Sequence, residues 1–175
     1  MADERQAAVI TGGAGNLGKV VVERFLESGY RVVVPWLDEE KWGALQEELP
    51  QEARECCRGV EADLTDERAV RALMDGTAER EGGPDALLNL VGGFAFGEKV
   101  WEMDPGTWER MMDLNLRTAF LCCRYALPHM RERGGGRIVN VSSKASLDIQ
   151  PGAAAYAVSK AAVTTFTRAL REELK

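Results

Sequence analysis

A chain of 175 residues, 45% of them apolar, is long enough to bury a core and has the composition of an ordinary globular domain. Its net charge of −6 is spread along the sequence rather than blocked, which argues against nucleic acid as a partner, and no apolar run approaches the ~18 residues of a membrane span. Two adjacent cysteine pairs, Cys56-Cys57 and Cys122-Cys123, lack C-x-x-C spacing and stand far in sequence from the single histidine, His129, so no metal site is expected and the thiols read as reduced.

The opening "MADERQAAVITGG" passes from a charged stub into a strand with no signal-peptide core, which predicts a cytoplasmic protein. Strand-like runs follow at 7–11, 31–36, 56–62, 86–91 and 137–142. Between them lie helical patterns at 16–28, 38–49 and 66–81, a long one from Pro105 to Arg133, and a last one from about Gly152 to the end. Continuous Val/Ile/Leu strands separated by helices predict an α/β fold, a doubly wound, Rossmann-like parallel sheet covered on both faces. Without repeats or a linker, residues 1–175 read as a single dinucleotide-binding and catalytic domain.

"TGGAGNLG", Thr11 to Gly18, follows the first strand and opens the first helix. It fits G-x-G-x-x-G through Gly13, Gly15 and Gly18, and T-G-x-x-G-x-x-G through Thr11, Gly12, Gly15 and Gly18. Glycine permits the tight turn and close approach to a pyrophosphate, and the helix start turns free N–H groups and a positive dipole end toward it. Asn16 replaces the glycine of T-G-x-x-x-G-x-G and is tolerated because asparagine visits left-handed conformations.

Tyr156 and Lys160 are four residues apart on the predicted last helix and share one face. An ammonium beside a phenol favours the phenolate, so such a tyrosine exchanges a proton with a carbonyl or alcohol oxygen near neutral pH. Ser143, 13 residues earlier, closes the fifth strand at the sheet edge where ligands bind, and its hydroxyl suits a substrate oxygen. Its neighbour Ser142 reads as structural. Phe94 and Phe96 follow the fourth strand and are candidates for lining a pocket or for packing.

With these pieces in order ("TGGAGNLG", "ADLTDE", "NLVGG", "DLNLRTAFL", "GRIVNVSS" and "YAVSK"), the chain resembles the short-chain dehydrogenase/reductase family over nearly its whole length. The resemblance implies an oxidoreductase moving hydride between NAD or NADP and a carbonyl/alcohol pair. Tyr156 would be its general acid/base, Lys160 the group that lowers the tyrosine pKa and holds the nicotinamide ribose, and Ser143 the group that polarises the substrate oxygen. Asn115 would match the helix-kinking asparagine behind a proton-relay water. Cofactor contacts would come from Gly12, Gly15, Asn16, Leu17 and Gly18, from Asp63 and Leu64, from Asn89, and from Tyr156 and Lys160. "NLVGG" departs from the family, with Leu90 and Val91 where asparagine and alanine are usual. The glycine spacing resembles the extended branch, which includes epimerases, whereas the serine-to-tyrosine gap, "GRIVNVSS" and the Asn115 segment resemble the classical branch and outweigh it. A nucleotide-binding or dimerisation module without turnover is the alternative, as is an epimerase-like relative.

Trp36 ends the second strand where NAD users place an acid and NADP users have a base nearby, and Asp38, Glu39 and Glu40 follow it, which favours NAD. A small-molecule substrate is expected, with neither nucleic acid nor membrane as partner. By the same resemblance, segments 107–131 and 152–174 are expected to pair across a twofold axis into a homodimer or homotetramer. The family also runs on for two further strands beyond a helix like the last one here, so C-terminal strands are expected to be missing from this chain. The substrate is not legible.

Overall fold

The computed structural model of the protein describes residues 6–175. Five strands, β1 (Ala7–Thr11), β2 (Arg31–Trp36), β3 (Cys57–Glu61), β4 (Ala86–Asn89) and β5 (Arg137–Asn140), form one sheet in the order β3-β2-β1-β4-β5. The pairings of β1 with β2 and β4, and of β2 with β3, are parallel. With its flanking helices this is the expected Rossmann-like sheet. The strand order reverses beside β1, and such a switch point is where open parallel sheets bind ligands.

The chain divides into two compact units. The first comprises the chain up to Leu90 with Leu121–Val139. Its core follows from composition: every residue of β1 is buried, and Ile10, Val22, Val32, Val34 and Leu45 form part of one apolar cluster. Helices α1 (Asn16–Glu27), α2 (Glu39–Glu48), the short α3 (Gln51–Arg54) and α4 (Glu67–Glu81) connect its strands. Their ends carry local signals. Asp38 and Asp66 cap α2 and α4 through their carboxylates, and α4 stops at Gly82, whose φ of 78° is left-handed. Glu81 accepts ion pairs from Arg31 on β2 (3.0 Å) and Arg58 on β3 (3.2 Å), fastening the end of α4 to two strands.

The second unit comprises Val91–Phe120 and Asn140–Lys175. It holds α5 (Pro105–Met112) and α7 (Ala154–Glu173), while α6 (Thr118–Glu132) starts in this unit and continues in the first. Between α5 and α6, Asp113–Arg117 form a π-helical turn, so the long helical pattern from Pro105 is one helix interrupted by a widened turn. Asn140 and Ser142 hydrogen-bond to Thr167 (3.0 Å) and Thr164 (2.8 Å) on α7. β5 ends at Asn140 rather than at residue 142, where the sequence pattern takes it, and the Val141 carbonyl just beyond accepts from the Lys160 ammonium at 3.0 Å. β4 likewise stops at Asn89, because the Leu90 N–H donates to the Thr11 hydroxyl at 3.0 Å.

Candidate active site

In the first unit, the loop after β1 is compressed to what glycine allows. Gly12 has a φ of 66°, and the Gly15 N–H donates to the Gly12 carbonyl at 3.0 Å. A Cβ on Gly18 would lie 2.0 Å from that carbonyl oxygen and 2.6 Å from the Cα of Gly13. Helix α1 therefore starts directly against the loop. Gly15 is its N-cap, without a side-chain cap, so the first-turn N–H groups are not closed off by a capping side chain. Gly15, Asn16 and Leu17 are exposed there. The left-handed conformation expected of Asn16 is not adopted: it is the first helical residue of α1, and no described residue other than glycine has a positive φ. Gly12 makes the turn instead.

The other residues expected at the cofactor are distributed around the strand ends of this unit. Asp63 is exposed and accepts from the Thr65 N–H (2.8 Å) and hydroxyl (2.7 Å), a local turn leading into α4. Leu64 is buried, and Asn89 is buried with its amide donating to the Cys123 sulfur at 3.5 Å. Trp36 ends β2 with its indole packed over Gly59, where a Cβ would fall 2.9 Å from the ring nitrogen. Asp38 is taken up by α2: it accepts from the Lys41 N–H at 3.1 Å and pairs with the Lys41 ammonium at 2.7 Å, which holds its carboxyl below the usual range.

In the second unit, Asn115, Tyr156 and Lys160 are linked through Ser159 and Gly92, which sequence reasoning did not select, and Ser143 adjoins Ser142, whose hydroxyl bonds the Lys160 carbonyl. Asn115 is 2% exposed in the π turn. Its carbonyl oxygen accepts from the Gly93 N–H at 2.9 Å, and its amide donates to the Gly93 carbonyl (3.1 Å) and to the Ser159 hydroxyl (2.9 Å). Ser159 donates in turn to the Tyr156 carbonyl at 2.8 Å. The asparagine side chain is thus a clamp between the chain after β4 and the first turns of α7. Ser159 had a signal in the sequence, because it sits three residues after Tyr156 and next to Lys160.

Lys160 is 6% exposed, and its ammonium donates to the Val141 carbonyl at 3.0 Å. Burial pushes its pKa below the ordinary lysine value. The backbone of Gly92 walls this group: a Cβ there would lie 2.6 Å from the Asn115 carbonyl oxygen and 3.1 Å from the lysine nitrogen. Ser143 opens a 3-10 turn at Lys144–Ser146, its hydroxyl accepting from the Ala145 N–H at 3.2 Å. Ser142 donates to the Lys160 carbonyl at 2.8 Å and supports α7. The Tyr156 ring meets the Phe94 ring edge-on, with centroids 4.9 Å apart. Its hydroxyl makes no hydrogen bond among the described residues, so it is bonded to neither Ser143 nor Lys160. Among the described residues no cluster of His, Cys, Asp or Glu is suited to a metal, and no helix is long and apolar enough to cross a membrane.

The chain is 36% identical over 169 residues to a 2-dehydro-3-deoxy-L-rhamnonate dehydrogenase (NAD(+)) of Sphingomonas sp. (strain SKA58), covering 97% of this chain and 66% of that protein. Among solved structures it superposes on a metagenomic short-chain oxidoreductase in complex with NADP at a TM-score of 0.88 and 29% identity, covering 97% of this chain and 76% of that one. It superposes on an NAD+-bound xylitol dehydrogenase at 0.89 and 26% identity, covering 97% and 65%. The chain thus spans about two thirds of the length of the curated relatives it matches. Residues 6–175 match the profile of the short chain dehydrogenase family, and with a glycine loop at the switch point of a parallel sheet and the Asn115, Ser143, Tyr156 and Lys160 group, the chain belongs to that family.

Proposed function

We propose that residues 1–175 form a dinucleotide-binding and catalytic domain of a nicotinamide-dependent oxidoreductase that interconverts a carbonyl compound and its alcohol. The observation that carries this reading is the second-unit cluster. A buried lysine on α7 lies one turn beyond Tyr156, and Asn115 and Ser159 tie down the backbone between them. A lysine without a carboxylate partner is costly to bury and marks a functional position more often than a structural one.

The glycine loop supports the cofactor. It lets α1 start hard against the loop, where a methyl group on Gly18 would strike the Gly12 carbonyl, and it presents first-turn N–H groups suited to a pyrophosphate. Gly12, Gly15, Asn16, Leu17 and Gly18 would hold the phosphates, and Asp63, Leu64 and Asn89 the adenosine side, with Tyr156 and Lys160 at the nicotinamide ribose. When bound, the nicotinamide supplies or accepts the hydride. Ser143 holds the substrate oxygen through its hydroxyl, Tyr156 gives that oxygen a proton in reduction and takes it in oxidation, and Lys160 stabilises the phenolate left behind. One structural neighbour holds NADP and another NAD+, so either form is accommodated by the fold. Of the acids beyond β2, Asp38 is paired with Lys41, and Glu39 and Glu40 favour NAD here, since they repel a 2′-phosphate. Exposed Trp108, Phe120 and Val158 on α5, α6 and α7 support assembly into a homodimer or homotetramer.

The test is a panel of ketones and alcohols followed by nicotinamide absorbance with NAD and NADP. Tyr156→Phe removes one hydroxyl that bonds nothing among the described residues, so cofactor binding and thermal stability persist while turnover drops at least ~100-fold. A Tyr156→Phe variant with undiminished turnover refutes the assignment.

A further inference from the structure

We infer that the substrate is a small cyclic ketone or alcohol carrying a carboxylate, which Arg110 reads. The inference rests on the oxidoreductase reading for the reaction, and on the geometry of the second unit for the ligand. A cavity of ≈ 250 Å³ opens in that unit, lined by Phe94, Phe96, Glu98, Met103, Thr107 and Arg110. Ala95 completes that side, and the opposite wall is Gly152 and Ala155, at the start of the helix that carries Tyr156. The Gly97 N–H donates to the Gly152 carbonyl at 3.0 Å and joins the loop to this turn, and a Cβ on Gly152 would press on the Gly97 backbone at 3.1 Å.

Each part of the lining restricts the ligand. The volume falls just below the ~300–1,000 Å³ of ordinary ligand pockets and suits one ring rather than a fused system. Phe94 and Phe96 are stacked, with planes 6° apart and centroids 6.3 Å apart, and both are more than half exposed. They offer a flat apolar wall for a ring. Phe94 also meets Tyr156, so a ring lying on Phe94 is carried to the side of the proton donor.

Arg110 is the lining's only cation, and no ion pair or side-chain hydrogen bond engages it among the described residues. Its fork of donors matches a carboxylate in two parallel hydrogen bonds. Glu98, the lining's one anion, is likewise unpaired and does not neutralise Arg110. It suits a ligand hydroxyl as donor, as does Thr107. A cavity with a free guanidinium, a free carboxylate and an aromatic wall fits a ring bearing both a carboxylate and a hydroxyl or oxo group, and fits a plain hydrocarbon ketone poorly.

The probes are 4-oxocyclohexanecarboxylate and its neutral match, 4-oxocyclohexanecarboxamide, titrated calorimetrically into the intact chain. The carboxylate binds at least about tenfold tighter, because a charge-assisted pair replaces a neutral one. That gap narrows with added salt. Arg110→Gln closes the gap and leaves the carboxamide affinity and the unfolding temperature unchanged, since exposed Arg110 holds nothing in the fold. Arg110→Lys keeps the charge without the fork and retains part of the gap. Equal affinities, no binding of either probe, or a preference that survives Arg110→Gln overturns the inference. Nicotinamide absorbance followed in parallel separates the two readings. Turnover of the carboxamide as fast as the carboxylate keeps the oxidoreductase and overturns the carboxylate assignment. A binding preference in a chain that binds neither NAD nor NADP keeps the assignment and overturns the oxidoreductase.

Discussion

The ammonium of Lys160 donates to the carbonyl oxygen of Val141 at 3.0 Å, and no carboxylate among the described residues balances it. A buried cation facing a carbonyl dipole is held by geometry rather than by charge neutralisation, and it is poised to be completed by an anion that forms nearby.

That relationship fixes a pH dependence. Burial lowers the folded-state pKa of Lys160, whereas the unfolded chain keeps the ordinary 10.5. Between the two values the unfolded state binds more protons, so this residue makes stability rise with pH up to 10.5. Lys160→Met removes the contribution. Urea unfolding at pH 8 and pH 10 is expected to show wild type gaining on the variant as pH rises. A gap independent of pH, or one that moves the other way, contradicts the burial argument.

The glycine loop allows a sharper steric test, because glycines elsewhere in the chain serve as controls. Gly18→Ala places a methyl carbon where the Gly12 carbonyl oxygen stands 2.0 Å away, and backbone cannot yield as a flexible side chain does. The expected result is a loss of about 1–3 kcal/mol of stability, typical of overpacking, with at least tenfold weaker nucleotide binding. Gly43 in α2 and Gly76 in α4 have nothing within 4 Å of the added atom. Alanine at either is expected to stabilise by about 0.5–1 kcal/mol with nucleotide affinity untouched. Gly18→Ala behaving like Gly76→Ala in calorimetry and nucleotide titration would mean that the loop is not so tightly closed.

The sheet was legible because its signal is local: "AAVIT" and "RVVVPW" are continuous apolar runs, and both became strands with the expected bounds. Where strands end was less legible, because the ends are set by side chains distant in sequence. Thr11 takes the Leu90 N–H from 79 residues away, and Lys160 on α7 takes the Val141 carbonyl just after β5. The irregular turn at Asp113–Arg117 was legible only through the resemblance, which matched Asn115 to a helix-kinking asparagine. Helical periodicity alone does not mark it, because the side-chain bonds that single it out, from Asn115 to Gly93 and to Ser159, 44 residues on, are distant in sequence. Gly92 reads as an ordinary loop glycine until the Asn115 and Lys160 side chains are seen packed against it. The acids after β2 look alike in sequence, yet Asp38 is taken by the cap of α2 and its bond to Lys41.

The buried thiols give an alkaline signature opposite in sign to that of Lys160. Burial, with a smaller contribution from the adjacent cysteine, pushes both Cys57 and Cys122 up from 9.0 to about 12. A folded-state pKa above the unfolded one means that the folded chain keeps a proton which the unfolded chain releases. The stabilisation is fully present below pH 9 and is lost as pH rises toward 12. Each thiol contributes a slope of at most about 1.4 kcal/mol per pH unit in that window, and the pair roughly twice that. The competing rise from Lys160 ends at its unfolded value of 10.5, so the thiols dominate above it. Cys57→Ala with Cys122→Ala removes both contributions, and leaves small cavities that lower stability at every pH without tilting its pH dependence. Unfolding by urea under reducing conditions at pH 8, 9.5 and 11 is expected to show a steep alkaline loss in wild type and a much shallower one in the double variant. Parallel losses in the two proteins would place the alkaline sensitivity in other groups, the tyrosines and lysines that both share.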